Sequence, residues 1–176
     1  MTRRRVLVAN VVLYQAGWFA CVLGAAQGLP WIGALAAAAI VAAHLALAAR
    51  PLPELGLIGL ATGLGVLFES ALAASGWIRF HSGVLLEGTA PYWMVGLWAV
   101  FATTLNVSLR ALREHPGWTA LLGGVGAPLA YFAGARLGAM ELVATGAALA
   151  AIGIGWALLA PLLVRAARRL DGFAPA

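Results

Sequence analysis

Six long apolar stretches constrain this chain more than any other feature of its sequence. Each has roughly the 20 residues that an α-helix needs to cross about 30 Å of hydrocarbon. Charged residues make up only 10% of the chain, against roughly 25% in a soluble domain, so too few charges exist to cover a water-facing surface. We therefore predict an all-α polytopic membrane protein, with residues 1–176 forming a single bundle of six transmembrane helices. The predicted spans are residues 6–26, 31–49, 55–75, 91–109, 118–138 and 140–164.

The arginines predict the orientation of the bundle. Six crossings put both termini on one side of the membrane, and nine of the 11 basic residues then fall on that side. Only Arg79 and Arg136 fall on the other side. Because basic residues are enriched in cytoplasmic loops, we predict that both termini are cytoplasmic. The use of Arg without Lys, beside abundant Ala and Gly, is typical of GC-rich codon usage and indicates a bacterium. We therefore predict a multi-pass protein of the bacterial inner membrane.

The N-terminal stretch is open to more than one interpretation. It follows three consecutive arginines, so a cleaved signal peptide, a twin-arginine signal and a lipoprotein signal using Cys21 are all alternatives. The residues before position 27 are a poor cleavage site, and the bulky Trp18 and Phe19 precede Cys21 where a lipoprotein signal has smaller residues. We favour an uncleaved first helix, since the stretch is long enough to span.

Polar side chains inside the predicted spans are the candidates for a ligand or proton site, because such groups are costly in hydrocarbon. One set lies about 6–9 Å inside the cytoplasmic edge, where hydrogen bonds between helices, worth about 0.6 kcal/mol on average, are the ordinary explanation. A second set lies near the midplane or in the outer half. The candidates are Asn10, His44 and Asn106 in the first set and Gln15, Glu69, Tyr131 and Arg136 in the second.

Glu69 and Arg136 have opposite charges and compatible depths. Leaving either unpaired in hydrocarbon costs several kcal/mol, so we expect the two to approach each other. A structural ion pair and a functional site both remain open. Arg136 lies close enough to the interface to reach the lipid headgroups alone, and Glu87 or Glu141 could pair with it instead.

The third span separates small and large residues. Gly59, Gly63 and Glu69 recur at helical spacing on one side, which predicts that Gly63 faces a neighbouring helix. The leucines at positions 57, 60, 64 and 67 are predicted to face lipid. The loop of residues 76–90 is rich in apolar side chains, and we expect it to lie along the membrane interface.

The sequence contains no recognisable catalytic or metal-binding motif. Only one of the three histidines lies within a span, and neither a zinc-protease motif nor a phosphate-binding loop occurs. The adjacent His81 and Ser82 are a weak pointer to a hydrolase, because a catalytic pair must be arranged in space. We predict no catalytic residues, no metal and no cofactor, and no nucleic acid among the partners.

Several segments resemble a family of small bacterial membrane proteins known as domain of unknown function 2878. They are residues 14–24, 44–45, 104–109, 126–131 and 134–139. The resemblance covers nearly the whole chain and implies a multi-span inner-membrane protein. No activity and no site residues come with it. It also suggests an association with lipid-modifying enzymes such as cyclopropane-fatty-acid-synthase-like proteins.

Three functions are therefore open at this point. The first is a non-enzymatic membrane protein that binds or moves a small or lipidic ligand within the bundle. The second is an accessory or structural subunit in envelope lipid metabolism, whose protein partners the sequence does not identify. The third is a membrane enzyme that uses Glu69 or His44 as an acid or base. A pocket that is open to water or lipid and lined by Glu69 would favour the first or third, and a sealed core with every polar group paired would favour the second.

Overall fold

The structure, a computed structural model, describes residues 3–173. It contains six α-helices, one short 3-10 helix and two short strands. The helices are α1 (Arg3–Ala26), α2 (Pro30–Leu47), α3 (Pro51–Ala74), α4 (Tyr92–Leu105), α5 (Pro116–Arg136) and α6 (Thr145–Arg169). The 3-10 helix covers Arg110–Glu114, and the strands are β1 (Ile78–Phe80) and β2 (Met140–Leu142).

Prolines mark where three of the helices begin. Pro30, Pro51 and Pro116 each lie in the first turn, where a missing N–H costs nothing because no intrahelical acceptor is available. The third span was predicted to begin at residue 55, after a turn that no helix could cross. It begins instead at Pro51, since both Pro51 and Pro53 fit the first turn, and Glu54 therefore becomes part of the helix.

The predicted start of the sixth span at residue 140 also differs from the structure. Gly138 ends α5 with a φ of 92°, a left-handed conformation that favours glycine. The next residues form β2, which pairs antiparallel with β1 so that Arg79 lies opposite Glu141. The helix α6 then begins at Thr145 and extends to Arg169, five residues beyond the predicted end. Similarly, α4 ends at Leu105, four residues before the predicted boundary.

Hydrogen bonds between the segments that connect the helices show that successive helices run in alternate directions. Arg50, which follows α2, and Arg110, which follows α4, both bond to Asp171, which follows α6. We call this end of the bundle the Arg end. The strands β1 and β2 follow α3 and α5, and Ser82 donates a hydrogen bond to the carbonyl of Ala25 at the end of α1. These elements define the opposite end, which we call the sheet end.

The surface of the bundle is apolar. Within residues 3–173, four helices are long and apolar enough, by length and composition, to cross a membrane: Arg4–Ala26, Pro30–Leu47, Pro51–Ala74 and Thr145–Arg169. Large side chains such as Leu67 and Ile154 are exposed on the outside of the bundle. Helix α4 is also apolar but has only 14 residues, or about 21 Å. This architecture supports the prediction of an all-helical membrane protein.

The inward face of α3 differs from the predicted one. Both Gly59 and Gly63 are exposed, and a Cβ atom added at either position would meet nothing within 4 Å, so the prediction for Gly63 is wrong. Leu57, predicted to face lipid, is fully buried. The buried stripe runs instead through Gly65 and ends beyond Glu69. Glu69 lies at the edge of either stripe on an ideal helix of about 100° per residue, so it was placed correctly even though the stripe was not.

Gly65 provides a test of this packing. A Cβ atom at position 65 would lie 2.3 Å from the indole of Trp98, which is an impossible contact. We expect Gly65→Leu to lower the free energy of unfolding in detergent by roughly 1–3 kcal/mol or more through overpacking. Gly63→Leu is the matched control and should have little effect. Equal destabilisation of the two variants, measured by thermal unfolding, would contradict this inward face.

Candidate functional site

A fully buried carboxylate, that of Glu54, organises the Arg end. Nε2 of His44 lies 2.8 Å from its Oε2 atom. The Oε1 atom accepts hydrogen bonds from the backbone N–H of Gly172, at 2.8 Å, and from the side-chain amide of Asn106. Because a buried carboxylate needs partners for both oxygens, Glu54 joins α2, α3, α4 and the segment that follows α6.

His44 and Asn106 were candidates from the sequence, whereas Glu54 was assigned to a turn and was missed. The available signal was the proline pair at positions 51 and 53, which is compatible with the first helical turn. Counting Glu54 as the acidic residue of that turn would have placed a carboxylate beside the predicted cytoplasmic layer, where a helix N-terminus favours negative charge.

A second acidic residue, Asp171, holds the loops of the Arg end together. Its Oδ2 atom accepts hydrogen bonds from Arg110 and, at 2.8 Å, from Arg113, while its backbone carbonyl accepts one from Arg50 at 2.6 Å. Burial of the Asp171 carboxyl opposes its ionisation. The hydrogen bonds from Arg113 and from the backbone of Phe173, together with the two nearby guanidinium charges, outweigh that effect and hold the pKa of Asp171 below its ordinary value.

The segment Leu170–Phe173 closes the Arg end over these groups. The backbone carbonyl of Gly172 accepts a hydrogen bond from the backbone N–H of Arg50 at 3.0 Å. The centroids of the Phe173 ring and the His44 imidazole lie 4.9 Å apart. Arg113 also donates to Asn106, so the Asp171 and Glu54 groups form one continuous network. The polar groups of this network face each other, which points to a structural role.

Asn10 takes part in hydrogen bonds between helices. Its side-chain Nδ2 donates to the carbonyl of Thr103 at 3.1 Å, and its Oδ1 accepts from the hydroxyl of Ser108 at 2.7 Å. These two bonds fasten α1 to the end of α4. They match the ordinary explanation of a polar residue at this depth.

Glu69 forms a different arrangement in the buried interior of the bundle, nearer the sheet end. Its Oε1 atom accepts hydrogen bonds from Nε1 of Trp98, at 2.9 Å, and from the hydroxyl of Tyr131. Its Oε2 atom is buried and has no hydrogen-bond partner within residues 3–173. Glu69 and Tyr131, both candidates from the sequence, are thus brought together, and the carboxyl group links α3, α4 and α5.

The expected pairing of Glu69 with Arg136 is not formed. Arg136 is exposed on the last turn of α5, at the sheet end, while Glu69 is fully buried by Trp98 and Tyr131. Glu69 contacts α5 at Tyr131, and Tyr131 and Arg136 are five positions apart and so about 140° apart around a helix, which puts Arg136 on a different side of α5. The sheet-end ion pair instead joins Arg79 and Glu141, at 2.7 Å, and both are exposed.

A cavity of about 540 Å³ lies beside the Glu69 cluster, within the usual range for ligand sites. Its walls come from α1, α4, α5 and α6. Helix α1 packs against α2 and α4, and α5 packs against α6, so the cavity forms a groove between α1 and α5. We call it the α1/α5 groove. Its principal lining residues are Val11, Tyr14, Gln15, Trp18, Val22, Trp98, Phe101, Thr104, Ser108, Thr119, Leu122, Gly126, Ala130, Tyr131, Gly134 and Trp156.

The lining of the α1/α5 groove is aromatic and uncharged. Trp98 and Trp156 stack in its wall with ring centroids 4.6 Å apart, and Phe101 meets Trp156 edge to face at 4.9 Å. None of its lining residues is acidic, basic, histidine or cysteine. Across residues 3–173 no cluster of three or more His, Cys, Asp or Glu side chains could hold a metal ion. The chemistry available in the groove is therefore apolar contact and neutral hydrogen bonding.

Of the sequence candidates, Gln15 and Tyr131 line the groove, and Glu69 supports its wall through Trp98 and Tyr131. His44 and Asn106 meet at Glu54 instead, and Asn10 and Arg136 belong to neither group. The groove itself could not be read from the sequence, because it depends on which faces of α1 and α5 are turned towards each other.

The network at the Arg end can be tested at Glu54. Glu54→Leu would leave the buried partners His44, Asn106 and the N–H of Gly172 without their acceptor, so we expect a loss of roughly 3–5 kcal/mol in the free energy of unfolding. Glu114→Leu is the control, since Glu114 is exposed and pairs only with exposed Arg168, an interaction worth about 1 kcal/mol or less. Chemical denaturation in detergent measures both. A Glu54→Leu variant as stable as the control would contradict the central role of this carboxylate.

Comparison with known proteins agrees with the resemblance seen in the sequence. No curated protein and no solved structure matches the chain significantly. A family model described as protein of unknown function (DUF2878) matches residues 7–162, from the first turns of α1 into α6. Because this match includes every residue named in the lining of the α1/α5 groove, it concerns the site as well as the fold, and the chain belongs to the DUF2878 family.

Proposed function

We propose that this protein spans the inner membrane of a bacterium six times, with both termini in the cytoplasm, and binds a lipid-like ligand in the α1/α5 groove without transforming it. The observation that carries the proposal is the groove itself, an aromatic, uncharged cavity of about 540 Å³ beside the buried Glu69 cluster. Such a site suits an apolar molecule better than a water-soluble one.

The position of the groove's opening, between α1 and α5, supports entry of the ligand from within the membrane. Gln15 on α1 and Gly126 on α5 line the groove and are exposed, whereas Trp98 and Tyr131 lie buried beneath them. A mouth between α1 and α5 would open sideways into lipid if both helices cross the bilayer. On α1 the lining extends from Val11 to Val22, about 16 Å along the axis, which is close to the thickness of one leaflet, about 15 Å.

The chemistry of the lining favours binding over catalysis. General acid–base or nucleophilic catalysis needs a carboxylate, imidazole, thiol or activated hydroxyl at the reacting atom. The groove hydroxyls of Thr104 and Thr119 instead donate to main-chain carbonyls, and that of Ser108 donates to Asn10. His44 is held at the Arg end by Glu54. An accessory role in envelope lipid metabolism is the alternative if the groove holds no ligand.

The orientation can be tested with reporter fusions. The Arg end carries Arg50, Arg110 and Arg113, and basic residues favour the cytoplasmic side. We expect alkaline phosphatase to be active when fused after Glu87 at the sheet end. The same enzyme should be inactive after Arg50, Glu114 or Asp171, where green fluorescent protein should fluoresce. Phosphatase activity at any of those three positions would contradict the proposed topology.

Gly126 allows the groove to be filled without disturbing the fold. It lines the groove, and a Cβ atom at this position would meet nothing within 4 Å. We expect Gly126→Leu to fold normally and to reduce the lipid that co-purifies in mild detergent by about tenfold, a change of about 1.4 kcal/mol. Native mass spectrometry measures the bound lipid, and thermal unfolding measures the fold.

The matched control for this experiment is Gly63→Leu. Gly63 is also helical and exposed, and a Cβ there also meets nothing within 4 Å, but it lies on α3 outside the groove. It should retain bound lipid at the level of the unchanged protein. Equal lipid retention by both variants would reject the groove as the site and favour the accessory role.

A further inference from the structure

Gln15 occupies an unusual place in the α1/α5 groove. It lies near the middle of α1, about 18 Å along the axis from Arg3 and about 16 Å from Ala26. Its side chain is exposed, lines the groove and makes no hydrogen bond within residues 3–173. If α1 crosses the bilayer, this amide lies near the midplane, where water is absent and an unpaired amide costs several kcal/mol.

Several other polar groups of the groove are already used by the protein, although the buried indole N–H of Trp156 has no hydrogen-bond partner within residues 3–173. The hydroxyl of Tyr131 and the indole N–H of Trp98 both donate to Glu69, and the hydroxyls of Thr104 and Ser108 donate to the carbonyl of Phe101 and to Asn10. Gln15, by contrast, presents both a donor and an acceptor to the space inside the groove. A ligand that fills the groove is therefore the partner best placed to satisfy this amide.

We propose that the ligand is an uncharged lipid that carries a carbonyl or hydroxyl oxygen at the depth of the bilayer midplane, where Gln15 binds it. This inference rests on the proposed function and specifies the class of ligand. The ester and phosphate groups of a phospholipid lie at the membrane interface, about 15 Å from the midplane, so they do not reach this amide. A charged group is disfavoured because the lining offers no opposite charge.

The walls of the groove agree with this class of ligand. Its aromatic side chains supply broad apolar faces, of which the stacked Trp98 and Trp156 pair is the largest. Apolar contact of this kind gives affinity with little specificity. One hydrogen bond at a fixed depth, in contrast, selects the position of the oxygen along the hydrocarbon chain of the ligand. The depth at which the ligand carries its oxygen would therefore depend on Gln15 of α1.

The test compares two photoactivatable probes in phosphatidylcholine vesicles that contain the intact protein. One probe is a dialkyl ketone with its carbonyl at the centre of the chain, and the other is the matched alkane, each bearing the same diazirine. We expect half-maximal labelling of the protein at a threefold to tenfold lower mole fraction of the ketone, as one hydrogen bond within a membrane supplies.

Gln15→Leu should label equally with both probes, because leucine keeps the bulk of the side chain and removes the amide. Since Gln15 makes no hydrogen bond within the described residues, this variant should fold normally. Gln27→Leu is the matched control: Gln27 is exposed just after α1 and lies outside the groove, so the preference for the ketone should persist. An equal response of the unchanged protein to both probes, or a preference that survives Gln15→Leu, would overturn the inference.

The Gly126→Leu variant separates this inference from the proposed function. If it blocks labelling by both probes while Gln15→Leu leaves the ketone preference intact, the groove is the site and the role of Gln15 is wrong. If Gly126→Leu labels like the unchanged protein with both probes, the groove is not the site and both proposals fall. If phosphatidylcholine bearing the same diazirine displaced the ketone at an equal mole fraction, the ligand would be a phospholipid, and the inference of an uncharged lipid would be wrong.

Discussion

The buried carboxylate of Glu54 is the interaction on which the arrangement of the bundle depends. Its two oxygens meet His44, Asn106 and the backbone N–H of Gly172, so α2, α3, α4 and the segment after α6 are fixed at a single point. A buried carboxyl group is tolerated only where its oxygens are hydrogen-bonded in good geometry. The hydrogen bonds to Glu54 therefore determine how the four segments are arranged. Apolar packing determines this less well, since lipid is as apolar as leucine and can take the place of a neighbouring helix.

The second buried carboxyl, that of Glu69, is satisfied less completely, and this difference separates the two clusters. Glu54 has partners on both oxygens, whereas the donors to Glu69, Trp98 and Tyr131, both bond to Oε1 and leave Oε2 without a partner in the described residues. Both donors also line the α1/α5 groove. The carboxyl thus orients two aromatic side chains of the wall, and a change at Glu69 would alter the shape of the groove even though Glu69 is not among its lining residues.

The sequence predicted the apolar helices and the polar residues within them, because helix length and polarity are local properties. Boundaries were predicted less well where a single backbone feature decides them, such as Pro51 at the start of α3 or the positive φ of Gly138 at the end of α5. The inward face of α3 was predicted incorrectly because small residues lie on two sides of it. Gly63 and Gly65 are equivalent in the sequence, and only the indole of Trp98 distinguishes them. The partner of Glu69 was missed for a related reason. Its opposite charge made Arg136 the expected partner, but Tyr131 is the residue of α5 that lies on the side facing Glu69.

The abundant small residues of α5 account for the existence of the groove. A Cβ atom at Gly123 would lie 2.6 Å from the carbonyl oxygen of Trp156, so glycine at this position is what allows α5 to approach α6 closely. The residues with which α5 lines the groove include Gly126 and Ala130, which are short, and a Cβ atom added at Gly126 would meet nothing within 4 Å. Helix α5 therefore packs tightly against α6 and leaves the α1/α5 groove on its other side. In water such a gap between apolar helices would tend to close, because closing it removes apolar surface from water. In lipid that driving force is absent, and an apolar chain can fill the gap at little cost, so the same glycines that damage a soluble core can maintain a binding groove here.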